Sequence, residues 1–165
     1  MELTDRHALP LLAAGQAQKE LTHNEALTMI DALLHPAVEA AGLDQPPAAP
    51  QPGQLWIVGN APVAEWAGRP GALACWTDNG WRLIEPREGM RVFDRDTGLW
   101  IDHIGGVWTA GMVRGGSLVI SGIQVAGPQQ PAVADPAGGA TVDSEARLAI
   151  ATLLQRLRSH GLIAT

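Results

Sequence analysis

Apolar positions recur at helical intervals near both ends of this chain and at strand intervals between them. Ala26, Leu27, Ile30, Leu33 and Leu34 share one helical face. Thr22 and Glu25 have capping-box spacing, which predicts Thr22 as N-cap with Glu25 reaching back from the third helical position. Pro36 is expected to stop or kink this helix, or to start a short second one ended by Gly42. Upstream, Ala8 to Ala14 is apolar and costly to expose, so residues 1–43 are read as a helical docking segment. At the other end Asp143 has N-cap character and Glu145 favours the positive end of the helix dipole. Ala146, Ile150, Leu153 and Leu157 then form one seam, and Gly161 after Arg156, Arg158 and His160 supplies a stop. This helix is only about two and a half heptads, too short to stand alone in water. It must dock on the β region, on the N-terminal helix, or on copies of itself.

Between the helices the period falls to two. Leu55–Val58 reads as a strand. Leu73–Trp76 and Trp81–Ile84 flank Thr77-Asp78-Asn79-Gly80, a hairpin signal in which Asn-Gly accepts positive φ cheaply. Arg91–Phe93 and Leu99–Ile101 flank Asp94 to Gly98, a second hairpin. Val107–Thr109 is a third return strand, and Ser117–Ile120 a shorter one. Four prolines within 44–53 disfavour helix and central strand alike, giving an extended semi-rigid linker. Residues 123–142, rich in Gly, Pro, Ala and Gln, read as a flexible linker. The expected fold class is therefore α+β: an N-terminal helix, a small Trp-rich antiparallel β meander at 54–122, and a C-terminal helix at 143–165.

Composition narrows the partners. The chain has 165 residues, 46% apolar and only 17% charged, so part of its surface must be neutral polar or covered by other subunits. A net charge of −6 with scattered basic residues argues against binding nucleic acid or an anionic membrane surface. Cys75 stands alone, so no intrachain disulfide forms. No signal-peptide pattern opens the chain and no apolar run reaches membrane-spanning length. The expectation is synthesis in the bacterial cytoplasm, no membrane insertion, and release by lysis or within a particle.

The unusual chemistry is tryptophan. All six fall between Trp56 and Trp108, with one Phe and no Tyr in the chain. Core packing explains most of them. The sharper reading is a sugar platform, since a flat aromatic face stacks on the apolar face of a pyranose. Trp66, in the least strand-like setting, is expected to be the most exposed. Trp76 and Trp81 bracket a turn and are expected to pair across the hairpin. Asp94, Asp96 and Gly98 open like a calcium loop, but Gly105 stands where a bidentate Glu is needed, so turn chemistry explains them better. His7, His23, His35, His103 and His160 lack metal-ligand spacing, and no nucleophile or phosphate-binding motif is present. No cofactor or metal is expected. A glycosidase pair could hide among Glu65, Asp78, Glu85, Glu88, Asp94, Asp96 and Asp102, because such pairs are set by spatial separation, but a chain this small offers no evident cleft for it.

The strings Leu9-Pro10-Leu11-Leu12-Ala13-Ala14-Gly15-Gln16-Ala17-Gln18-Lys19-Glu20, Thr22-His23-Asn24-Glu25-Ala26-Leu27 and Asp31-Ala32-Leu33 resemble the domain of unknown function numbered 2793, found in alphaproteobacterial prophages and gene transfer agents. Gly53 to Gly59, Trp66-Ala67-Gly68 and Gly80-Trp81-Arg82 continue the likeness, which covers about 6–108. The ending 143–163 is similar to the tails of phage fibre-like proteins. The resemblance implies a virion-associated role, in head spikes that help particles bind capsular polysaccharide, and it brings no catalytic residues with it. Relatives often carry a longer fibre or receptor-binding part, whereas little follows residue 122 here, so a base or adaptor is also implied.

The leading expectation is a non-catalytic virion component, a head spike, tail fibre or adaptor, that forms a homo-oligomer such as a trimer or pentamer and meets other virion proteins. Docking is assigned to Leu9, Leu11, Leu12, Gln16, Gln18, Leu27, Ile30, Ile150, Leu153 and Leu157. The alternative is a carbohydrate-binding module using Trp66, Trp81 and Trp108 with Asn79, Arg82 and Asp78 as polar partners to host surface polysaccharide. A polysaccharide-cleaving enzyme is the least favoured reading.

Overall fold

A computed structural model describes residues 2–13, 15, 19–140 and 143–165. Gln16 and Gln18 lie outside the described residues. The fold is α+β with a helix toward each end. The chain divides into two compact units, residues 1–112 and 113–165.

In the first unit, α1 (Lys19–Leu33) is followed by two short strands, β1 (Ala37–Val38) and β2 (Ala41–Leu43). Then come β3 (Leu55–Val58), a 3-10 turn (Ala64–Trp66), β4 (Leu73–Thr77), β5 (Gly80–Ile84), β6 (Arg91–Asp94), β7 (Leu99–Ile104) and β8 (Val107–Ala110). They form two four-stranded sheets, ordered β2-β3-β4-β5 and β1-β6-β7-β8. The consecutive pairs are antiparallel, as the meander expectation had it. The two outer strands β1 and β2 instead pair in parallel with β6 and β3.

Three expectations for residues 1–43 are corrected. Helix covers only Lys19–Leu33, so Thr22 is an interior residue and not an N-cap. Glu25 reaches across to Arg82 and not back to the helix start. The helix does stop ahead of Pro36, as one reading of that proline had it, but the alternative, a short second helix after it, does not form. A stretch this short cannot repay helix nucleation, and two sheets stand ready to satisfy the backbone. Phe93 N–H donates to the Pro36 carbonyl at 2.9 Å and Arg95 N–H to Val38 at 3.0 Å. Glu39 N–H donates to Leu55 at 2.7 Å and Ile57 N–H to Ala40 at 3.2 Å. One short segment thus stitches both sheets together. Residues 44–53, expected as a linker, lie within the first unit.

Alternation decides the faces. Leu55, Ile57, Leu73, Cys75 and Ile84 turn one way and share a core with Val92, Ile101, Val38 and Ala32. Trp56, Val58 and Ala74 turn the other way and, with Ala72, pack with Trp66. Strand β3 is buried on both faces because each side has its own cover. The hairpin after β4 closes on Asp78 and Asn79, and the left-handed position is Gly80 (φ +93°), not Asn79. Thr77 Oγ1 accepts from Asn79 N–H and donates to the Gly80 carbonyl. In the next hairpin the Asp94 carboxylate accepts from Asp96 N–H and Thr97 Oγ1, and Gly98 takes φ +71°. That carboxylate is used to close its own turn.

In the second unit, β9 (Leu118–Ile120) and β10 (Ile123–Ala126) form an antiparallel hairpin, and α2 spans Ser144–Ser159. Strand β10 falls where a flexible linker was expected. The turn Ser121-Gly122 has both residues at positive φ, the geometry that matches strand twist in two-residue hairpins. The caps of α2 follow the sequence: the Asp143 side chain accepts from Ala146 N–H at 2.8 Å, and Gly161 past the end takes φ +70°. The tail returns alongside residue 130, where Gln130 bridges Ile163. Arg158 ties this end to Asp135 at 3.0 Å. No helix among the described residues is long and apolar enough to cross a membrane.

Candidate functional site

The tryptophans fall into three environments. Trp56, Trp66, Trp76 and Trp81 gather on the outer face of the first sheet. Trp81 sits among the other three, with ring centroids at 5.5, 5.1 and 5.0 Å and near-perpendicular planes, the favoured edge-to-face geometry. The Trp76–Trp81 pair lies in register across the hairpin, as expected. Trp66 does not. It is 0% exposed, the reverse of its expected position. The reason is legible afterwards: Ala72 and Ala74 leave a hollow on the sheet, and the 3-10 turn lowers the indole into it. Its indole N–H has no hydrogen-bond partner, so its contribution is packing alone. Trp76 and Trp81 keep edges in a shallow cleft of about 260 Å³ beside Pro46, Pro47, Pro50 and Glu65.

The six residues of the expected sugar platform do not form one surface: Trp66 and Trp81 pack against each other, Asp78, Asn79 and Arg82 line a separate small cavity, and Trp108 lies apart from both. Arg82 follows Trp81 on the same strand and so points to the opposite face. There it is held by Glu25 at 2.9 and 2.7 Å. Asp78 and Asn79 are exposed at the hairpin tip. Trp108 belongs to the other sheet, where its Nε1 donates to the Gly71 carbonyl at 2.7 Å.

The outward tryptophan is one the sequence reading did not single out. Trp100 is 50% exposed on the outer face of the second sheet. It pairs edge-to-face with Phe93 at 5.4 Å, and the Arg91 guanidinium stands 5.8 Å from its ring centre. Arg91 also binds the buried Asp102 carboxylate. Parity would have found this residue: Val92 and Ile101 pair and face inward, so Phe93 and Trp100 must face outward.

The N-terminal apolar run, read from the sequence as part of a helical docking segment, is not helical over residues 2–13 and has partners within the chain. Residues 2–12 fold as a strap in which Leu3 bridges Pro10. Helix α1 clamps the strap with two side chains one heptad apart. Asn24 accepts from Leu12 N–H at 2.9 Å and donates to its carbonyl at 3.0 Å. The buried Asp31 carboxylate accepts from Arg6 N–H at 2.9 Å and His7 N–H at 2.8 Å. Arg6 then donates to the Gly53 and His35 carbonyls. Leu9, Leu11, Leu12 and Leu27 are half-buried as a result, while Ile30 is exposed. Burial pushes Cys75 up to about 11, so this thiol stays protonated and unreactive at neutral pH. The hydrogen bond from Arg82 holds the Glu25 carboxyl below its usual range. Asp5 is raised, first by burial and then by Asp78 and Asp31.

A larger cleft, about 710 Å³, opens at one end of the first unit's two sheets. Its wall carries Ile57, Ile101, His103 and Trp108, and Asp44 and Asn60 stand at its exposed rim. Among the described residues lining it there is no lysine or arginine. His103 is buried with Nδ1 lacking a hydrogen-bond partner, and its ring lies 5.0 Å from Trp108.

The second unit is built differently. Its buried apolar residues among those described are Leu154 and Ile163. Leu118, Val119, Ile120, Ile123 and Val125 of the hairpin are all exposed, Ile123 at 68%. On α2, Leu148, Ile150, Leu153 and Leu157 are exposed, Leu153 at 64%. The expected docking seam Ile150-Leu153-Leu157 is thus on the outside of the chain, and Leu154 beside it faces in.

A search of curated proteins finds no match. The family described as "Protein of unknown function (DUF2793)" matches residues 23–109, from within α1 to β8. That stretch holds Asn24, Glu25, Asp31 and Arg82, and both sheets. It covers more than half of the chain, and the protein belongs to the DUF2793 family.

Proposed function

We propose that this protein is a non-catalytic structural component of a phage-like particle, a spike, fibre or adaptor that assembles with copies of itself and supports attachment to host surface polysaccharide. The uncovered apolar surface of the second unit carries this reading. A hairpin and a sixteen-residue helix that expose nine large apolar side chains have not completed their core. Copies of the chain, as a trimer or pentamer, would cover such a surface. The first unit supports the structural half. Asn24, Glu25, Asp31 and Arg82, all within the family match, hold the strap, the helix and the hairpin together.

The enzyme reading is disfavoured on the use of carboxylates. Glu25, Glu39, Glu85 and Asp102 each pair with an arginine. Asp31, Asp94 and Glu88 accept backbone N–H groups. The test is the composition of purified particles from the producing cell. Mass spectrometry and immunogold labelling should find the chain at a fixed stoichiometry on the particle. Its absence from particles, with the chain soluble in the lysate, would refute the proposal.

A further inference from the structure

We infer that the cleft between the two sheets of the first unit binds an uncharged, hydroxyl-rich ligand with the size and chemistry of a pyranose unit. The cleft, at about 710 Å³, is far larger than the Trp76–Trp81 shelf and lies within the roughly 300–1,000 Å³ of small-molecule sites. Its walls are fixed by backbone bonds: Gly59 N–H to Leu43 at 2.6 Å, Val63 N–H to Asp44 at 2.9 Å and Gly71 N–H to Val58 at 3.1 Å. Gly59 is required for that closure. A Cβ there would stand 2.2 Å from Asp44 Oδ1 and 2.7 Å from the Gly42 carbonyl.

The lining selects the ligand class. Trp108, Val107 and Ile57 offer an aromatic and aliphatic wall for an apolar C–H face. Asp44, whose Oδ1 already accepts from Ala61 N–H at 2.9 Å, keeps Oδ2 to accept hydroxyl hydrogens, and Asn60 both donates and accepts. With Asp44 as the fixed charge and no cation among the lining residues, carboxylated or phosphorylated ligands are repelled. An ammonium ligand would satisfy Asp44 but leave Asn60 without a role.

This inference deepens the attachment half of the reading above and leaves its assembly half untouched. Saturation-transfer NMR on the full chain tests it, with glucose, galactose, mannose, N-acetylglucosamine, glucuronate and choline as probes. At least one neutral sugar should saturate in the millimolar range, with glucuronate and choline about tenfold weaker or more. Asn60→Ala and Asp44→Asn, both at the exposed rim, should each weaken binding about fivefold while the melting temperature holds. Trp108→Ala is avoided because its indole supports Gly71. Silence from every neutral sugar, unchanged affinity in both rim variants, or preference for choline or glucuronate each overturns the inference. An oligomer that ignores sugars refutes the cleft alone, and a monomer that binds them refutes assembly alone.

Discussion

At the scale of single residues, polar side chains within the stretch that matches the family act as fasteners. Asn24 and Asp31 lie seven apart, hence on one helix face, and both grip main-chain groups of the strap. Asn24→Ala removes two hydrogen bonds and is expected to cost about 1–3 kcal/mol, read from urea unfolding. Faster hydrogen exchange at Leu12 should accompany it, whereas exchange in β3 should hold until global unfolding. Trp66→Ala should cost about 3–5 kcal/mol, the range for emptying a buried aromatic site. Trp66→Phe should cost clearly less, because the indole N–H has no partner to lose. Two carboxylates give opposite pH signatures. Glu25 has a lowered pKa, so its contribution is present above its ordinary value of 4.5 and fades as pH falls through the folded value. Asp5 has a raised pKa, so its contribution is full below 3.8 and is lost as pH rises through the folded value. Melting curves should therefore show Glu25→Gln destabilising at pH 7 and losing its effect in acid. Asp5→Asn should stabilise slightly at pH 7, and that gain should vanish below pH 3.8. Both are surface groups and their effects should be small.

At the scale of elements, what the sequence made legible was whatever local chemistry decides. The caps of α2, the three tight hairpins of the first unit and the Trp76–Trp81 pair all follow from neighbours a few residues apart. What it hid was decided by distant partners. Ala37–Leu43 becomes strand because β6 and β3 need it, and no local period says so. Trp66 is buried because Ala72 and Ala74, six and eight residues on, make space. Strand β10 was obscured by the Gly and Pro residues that follow it, although Ile123 and Val125 are β-formers. The six-residue sugar platform failed because it joined residues from two faces and two sheets. The cleft that replaces it combines β2, β3, β7 and β8, positions no single window spans. Gly59→Ala tests the closure of that cleft. Its Cβ would collide with backbone as well as with Asp44, so a loss of a few kcal/mol is expected. Shifted Trp fluorescence from the displaced wall should report it.

At the scale of the whole molecule, the two units differ in how far their apolar surface is covered. The first has cores on both faces of its central sheet. The second has a capped helix and a well-formed turn but leaves most of its apolar side chains outside. Helices of this length gain most of their stability from packing, so the second unit is expected to hold its structure through neighbouring copies. Leu153→Glu and Ile123→Glu place charges on that surface at positions already exposed, and should weaken association without disturbing the first unit. The most direct measurement is light scattering on the eluting full chain at micromolar concentration, with both variants alongside. The account predicts a discrete oligomer of three or five copies for the native chain and smaller species for the variants. A native chain eluting at its monomer mass of 17.4 kDa, unchanged by either substitution, would contradict it.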